Sequence, residues 1–200
     1  MARRIVTIVE GHSEAVSVPA FVRRVLHDRG IFDVEADRPI REHRHRLAKP
    51  GVFVNRVRMA ELRAQCAAVL AVFDADDDPA CILGPTLLGE IRRQGIATPC
   101  CVVLAVREIE TWLIAGVESL RGHRGIRDDL ESPENVETIR GAKEWLAQHM
   151  AQGYKSTIDQ CPLLLAFDYQ AARTRAASLD KFLRDIDGLL ARLPSQGLQP

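Results

Sequence analysis

"IVTIVEGHSE", residues 5–14, runs from β-branched apolar residues into a glycine turn flanked by two glutamates. With Arg3 and Arg4 before it, the run shows almost no polar alternation, the pattern of a strand buried on both faces of a sheet. A helical pattern follows at once. Val16, Ala20, Val22, Val25 and Leu26 recur at near-helical spacing, with Ser13 as the expected N-cap and Gly30 as the stop. Pro19 is expected to delay the regular helix. A buried strand leading straight into a helix is the first half of a βαβ unit, and such units build parallel sheets.

The same alternation continues along the chain. "FDVEADRPI" (32–40) alternates as a second strand nearer an edge, and residues 38–63 read as loop followed by a helix start. "CAAVLAVFDADDD" (66–78) is the clearest strand, "CILGPTLLGEIRRQG" (81–95) is helical despite Pro85, and "TPCCVVLAV" (98–106) is another buried strand. From Arg107 onward the strands stop. "EIETWLIAG" (108–116), "NVETIRGAKEWLAQHM" (135–150) and "SLDKFLRDIDGLLARL" (178–193) are amphipathic helical patterns. The expected architecture is an open, mostly parallel, Rossmann-like α/β sheet with helices on both faces over residues 1–117. A helical extension packs on it over 118–200, with "PSQGLQP" (194–200) expected to fray.

Composition bounds the function. Two hundred residues suit one such domain, and 46% apolar residues suffice for a core. The 27 basic and 27 acidic side chains cancel, so no global field draws the protein to nucleic acid, which excludes a simple basic binding module. The cysteines at 66, 81, 100, 101 and 161 lack a zinc or redox spacing and read as buried, reduced thiols of a cytoplasmic protein. The apolar run after Arg3 and Arg4 is too short for a signal peptide, and no stretch approaches a membrane span.

Charge is concentrated locally. In a parallel sheet, functional groups gather outside the carboxyl ends of the strands. The first strand ends in Glu10, the third in Asp74 and Asp76, and the fourth is followed by Glu108 and Glu110. Glu14, one turn into the first helix, points back toward Glu10, while Gly11 keeps the turn free of a side chain. Carboxylates converging there repel one another. Oxygen-only donors relieve that repulsion by taking Mg2+ or Mn2+. Each motif also has a plain structural reading: glutamate favours a helix start, and an acidic loop solvates a turn. Asp77 and Asp78 read as solvated or capping. Residues 38–63 hold seven Arg and one Lys against two Glu, making Arg41, Arg44, Arg46, Lys49, Arg56 and Arg58 the candidate contacts to a phosphate backbone. His43 and His45 sit among these arginines, which disfavours a metal there. Trp112 and Trp145 lie on apolar helix faces and read as core.

"VEGHSE" followed by "VLAVFDADDD" resembles the Toprim domain of topoisomerases, primases, recombination-repair proteins and OLD-type nucleases, in which a strand-end Glu and a later D-x-D hold magnesium. The Glu10 and Glu14 pair is similar to the two-metal, OLD-type version. More narrowly, "REIETWLIA" (107–115) and "YKSTIDQ" (154–160) resemble a bacterial Toprim-like family of unknown function, whose members often sit beside ATPases in defence islands, as the related RloB-type proteins do. The resemblance implies a Toprim-type fold and a Mg2+- or Mn2+-dependent nuclease acting on DNA or RNA. It implies Glu10 as acid/base or metal ligand, Asp74 and Asp76 as the shared metal site, Glu14 and Glu110 completing a second, and Lys155 neutralising transition-state charge. It also implies a separately encoded ATPase partner.

Two other readings stay open on the sequence. The chain suits a non-catalytic effector or regulatory subunit, alone or as a homo-oligomer, docking on an ATPase through its helical region. "VFDADDD" also fits a HAD-type aspartyl-phosphate site with Asp74 as nucleophile. That motif, however, wants Thr or Val where Asp78 stands, and it leaves Glu10 and Glu14 unexplained.

Overall fold

The computed structural model describes residues 2–193; the tail expected to fray lies outside them. The chain is an α/β fold with an open, all-parallel sheet. Strand β1 spans Arg3–Val9, β2 Val34–Ala36, β3 Ile40–Arg41, β4 Cys66–Asp74 and β5 Cys100–Ala105, in the order β2-β1-β4-β5. The helices are α1 (His12–Asp28), α2 (Arg44–Leu47), α3 (Pro50–Glu61), α4 (Ala80–Arg93), α5 (Glu110–Ala115), α6 (Ala142–His149), α7 (Ser156–Ala166), α8 (Tyr169–Ala172) and α9 (Ala177–Arg192).

The edge strand read from "FDVEADRPI" is divided. β2 pairs with the start of β1, Arg3 opposite Val34, and β3 pairs with its end, Ile8 opposite Ile40. The break falls at residues 37–39, where Pro39 has no N–H to give the ladder. β4 lies between β1 and β5, with Ile5 opposite Ala68 and Asp74 opposite Ala105.

Strand alternation sorts side chains onto two faces. Ile5, Leu70 and Val103 pack in one core with α1, α5 and α7–α9. Val6, Ile8, Val69, Phe73 and Leu104 pack in the other with α3 and α4. Both faces are therefore dry, which explains why Ile5–Val9 and β4 read as largely apolar runs.

Local departures from the sequence reading have physical causes. Gly11, rather than Ser13, is the N-cap of α1, and the Ser13 hydroxyl instead donates to Ser156 Oγ at 3.0 Å. Pro19 sits inside a helix that has already begun at His12. The helix expected over 135–150 is a 3-10 turn at Val136–Thr138 and then α6, separated at Gly141, whose φ is +71°. Only Cys101 of the cysteines is buried; Cys81 is exposed and all are free thiols. Trp112 is fully buried, whereas Trp145 is half-buried and stacks on His149 at 4.0 Å. No helix among the described residues is long and apolar enough to cross a membrane.

Phe21 ties the layers together. Its ring stacks on Phe182 of α9 at 5.1 Å, meets Phe167 at 5.4 Å and packs edge-on to Tyr169 at 5.6 Å. Phe21→Ala is expected to cost about 3–5 kcal/mol of stability, the usual range for a large buried aromatic. Urea unfolding would measure it. A loss below about 1 kcal/mol would mean that the later helices do not share this core with α1.

Candidate functional site

The carboxyl edge of the sheet carries the acids because β1, β4 and β5 are parallel neighbours. Glu10 follows β1, Asp74 ends β4, and Glu108 and Glu110 follow β5 at the start of α5. Glu14 comes back to the same place from α1. Gly11 is required here for space: its φ is −109°, but a Cβ would run into Glu14 Oε2.

Gln160 of α7, fully buried, organises two of these acids. Its amide N–H donates to Glu14 Oε1 at 2.9 Å and to Glu110 Oε1 at 3.2 Å, while its own oxygen accepts from Ser17 Oγ at 2.6 Å. The Ser17 bond fixes which end of the amide faces the acids. Tyr154 donates its hydroxyl to Glu110 Oε1 at 2.9 Å. Asp74, 3% exposed, accepts the Ile109 N–H on Oδ1 at 2.8 Å. Lys143 of α6 supplies a positive charge: its ammonium lies 3.8 Å from Asp74, 3.6 Å from Glu108 and 3.7 Å from Glu110.

Burial and mutual repulsion push these acids upward. Glu10 is raised to about 7, by burial first and then by Glu14 and Asp76. Asp74 stands well above the usual carboxylate range through burial, Glu10 and Glu110. Burial also raises Glu110, against the pull of Lys143 and Tyr154. For Lys143 burial acts downward, but Glu110, Asp74 and Glu108 together outweigh it and hold the ammonium charged.

The expected site residues divide. Glu10, Glu14, Asp74 and Glu110 meet in one crevice. Asp76 stands at its rim, 63% exposed and 3.3 Å from Arg44. Its φ is +50° and that of Arg107 is +63°; the two face each other in an isolated antiparallel bridge. Such left-handed non-glycine residues are uncommon and gather at functional sites. Lys155 is directed elsewhere, into a cavity with Arg124 and Asp159.

Among the basic candidates, Arg44 stitches the acidic loop, donating to Asp74 O at 3.1 Å and to Ala75 O at 2.5 Å and pairing with Asp78 at 2.7 Å. Arg56 and Arg46 pair with buried Glu42, which the Arg56 hydrogen bond holds below the usual carboxylate range. Arg58 donates to Gln94 at 3.0 Å, and Arg41 and Lys49 are exposed. His43 and His45 stack at 5.9 Å on the surface. Lys143, Tyr154 and Gln160 were not singled out by position or spacing, although Tyr154 and Gln160 bound the "YKSTIDQ" segment.

The chemistry fits a hard cation: every donor is oxygen, and Glu10 Oε2 and Glu110 Oε2 are buried without a hydrogen-bond partner. The spacing is wider than a closed site. Among the described residues, no three acidic, histidine or cysteine side chains meet closely enough to hold a metal ion. Lys143 holds the charge balance between them.

Residues 9–187, which take in the whole crevice, match the family model described as Domain of unknown function (DUF4276). The chain belongs to the DUF4276 family. No curated protein and no solved structure matches it.

The raised acids give this DUF4276 chain a pH signature. A carboxyl whose folded pKa exceeds its unfolded value stabilises the fold at acid pH and loses that contribution as pH rises. For Glu10 the loss runs from about 4.5 to about 7. Glu10→Gln is therefore expected to exceed wild type in stability at pH 8, by on the order of 1–2 kcal/mol, and to match it near pH 4. Thermal unfolding of both proteins across that range would check it; equal pH dependence would show that Glu10 is not desolvated.

Proposed function

We propose that this crevice binds Mg2+ or Mn2+ and that the protein hydrolyses phosphodiester bonds of DNA or RNA as a Toprim-like nuclease. One observation carries the reading. Three adjacent parallel strands deliver Glu10, Asp74 and Glu110 to one edge, all held above the normal carboxylate range, with two buried oxygens that accept no hydrogen bond and an ammonium ion-paired to Asp74 and Glu110. A fold does not need that arrangement for stability, because desolvated like charges cost free energy unless matched.

Glu10, Asp74 and Glu110 would hold the cation by drawing together from their present wider spacing, with Glu14 beside them. When bound, a divalent cation supplies charge neutralisation at a phosphate and a more acidic water. The chain's own groups do the rest. Where Glu10 does not hold the cation, its raised pKa would let it hold or release a proton within the crevice, the alternative role of general acid or base. Lys143 offers its ammonium to a phosphate oxygen once a cation satisfies the carboxylates. Gln160 and Tyr154 keep Glu14 and Glu110 oriented. Arg107 and Arg140, which pair with Asp77 at the rim, face an incoming strand. We place this activity in the cytoplasm, in phage defence or repair, with an ATPase encoded separately. A regulatory-subunit role on that ATPase is the second reading, favoured by the exposed Ile158 and Leu165 on α7.

Calorimetry with Mn2+ on wild type and on a Glu10→Ala, Asp74→Asn double variant tests the proposal. Wild type is expected to bind, and the folded double variant to lose at least about tenfold in affinity, about 1.4 kcal/mol, together with cleavage of DNA or RNA. Equal binding or equal cleavage by the variant would sink the assignment. Cleavage only after an ATPase is added would join the two readings.

A further inference from the structure

A second site lies beside the crevice. The 122–126 and 150–155 segments are joined by an isolated antiparallel bridge between Ile126 and Met150, and the Ala151 N–H donates to Gly125 O at 2.8 Å. Next to the bridge is a cavity of about 400 Å3, whose lining includes Arg124, Gly153, Lys155, Ile158 and Asp159.

Its charges are arranged and unequal. Arg124 adopts φ +53°, a backbone conformation arginine rarely takes, between Gly122 at +74° and Gly125 at +78°. Its guanidinium donates to Asp159 Oδ1, with Nε at 2.8 Å and Nη2 at 2.7 Å. Asp159, 6% exposed, also accepts the Lys155 N–H on its other oxygen at 2.7 Å. That carboxylate is spent on holding the arginine and the loop. The Lys155 ammonium is left without a hydrogen bond or ion pair among the described residues. Two cations against one carboxylate leave the cavity one positive charge in surplus, which matches the single negative charge of a phosphodiester.

The cavity and the crevice are built from alternating residues of the same two segments. Tyr154 turns to Glu110, and Lys155 to the cavity. Gln160 turns to Glu14 and Glu110, and Asp159 to Arg124. A ligand filling one is therefore within reach of the other. Ile158, 53% exposed at the cavity, offers an apolar wall for a sugar or base.

We propose that this cavity seats a backbone phosphate of the nucleic-acid strand whose neighbouring bond is presented to the carboxylates. The strand's being a substrate rests on the function proposed above; its binding does not. The test is fluorescence anisotropy of a short labelled single-stranded oligonucleotide in EDTA, where no cleavage occurs. Lys155→Ala, which breaks no internal contact, and Arg124→Ala with Lys155→Ala are compared with wild type and with Asp74→Asn. The double variant is expected to weaken binding about tenfold or more and to lower the salt slope by about 0.7, the value for one single-strand phosphate no longer neutralised. Lys155→Ala, which removes the surplus charge, should account for most of that change, and Asp74→Asn should bind at least as tightly as wild type. Unchanged binding by a folded Lys155→Ala and by the double variant would overturn the proposal. Displacement of the oligonucleotide by AMP or inorganic phosphate at equal concentration would also overturn it, because the site would then be a mononucleotide or free-phosphate site. Binding that depends on Lys155 without any Mn2+-dependent cleavage would keep the cavity and remove the nuclease reading.

Discussion

Like charges held together in a desolvated place are the constraint on which the rest of this molecule turns. Glu10 and Asp74 lie at the ends of strands buried on both faces, and Glu110 begins the helix that follows a third, so the acids inherit a low-dielectric floor. Water cannot relieve their repulsion there. The chain answers with local devices: an Ile109 N–H on Asp74, a tyrosine hydroxyl and a glutamine amide on Glu110, and one lysine in the middle. These reduce the unfavourable charge without cancelling it. The surplus is what a divalent cation would meet.

The devices come from distant parts of the sequence. Lys143, Tyr154 and Gln160 all follow residue 117, yet each reaches an acid placed by the sheet. Ser17 and Gln160, 143 residues apart, fix one another's rotamers. Packing reinforces this dependence. Phe21 of α1 stacks on Phe182 of α9, so the helix that carries Glu14 is positioned by the last helix of the chain. The helical region is part of the site's wall as well as of its support.

The sheet was legible because strands buried on both faces are mostly apolar: β4 is apolar at every position before Asp74, and β1 from Ile5 to Val9 at all but Thr7. The convergence of Glu10, Asp74 and Glu110 followed from parallel topology alone. Other features depend on long-range geometry. Nothing in "GAKEW" distinguishes Lys143 from a solvated helix lysine, whereas Lys155, drawn from a short segment, points into a different cavity. The basic run at 38–63 promised a free cationic surface. Much of it is committed internally, because Glu42 and the acidic loop need partners and Arg56, Arg46 and Arg44 are the nearest. Net charge in a window counts side chains, and only contacts decide which remain available.

That commitment changes where a polyanion would approach. With Arg44 turned inward to hold the 74–78 loop and Arg56 turned to Glu42, the cations outside those pairs include Arg107 and Arg140 at the rim and Lys155 in the separate cavity. Arg107 and Arg140 share Asp77, an exposed carboxylate that they hold below the usual range, and a phosphate competing for them would displace a surface ion pair of modest worth. Among the described residues Lys155 has no such partner to give up. Glu10 and Glu110 each keep a buried oxygen that accepts no hydrogen bond. Under the function proposed above, cations held at separate places would suit an extended, repeatedly charged ligand better than a compact anion.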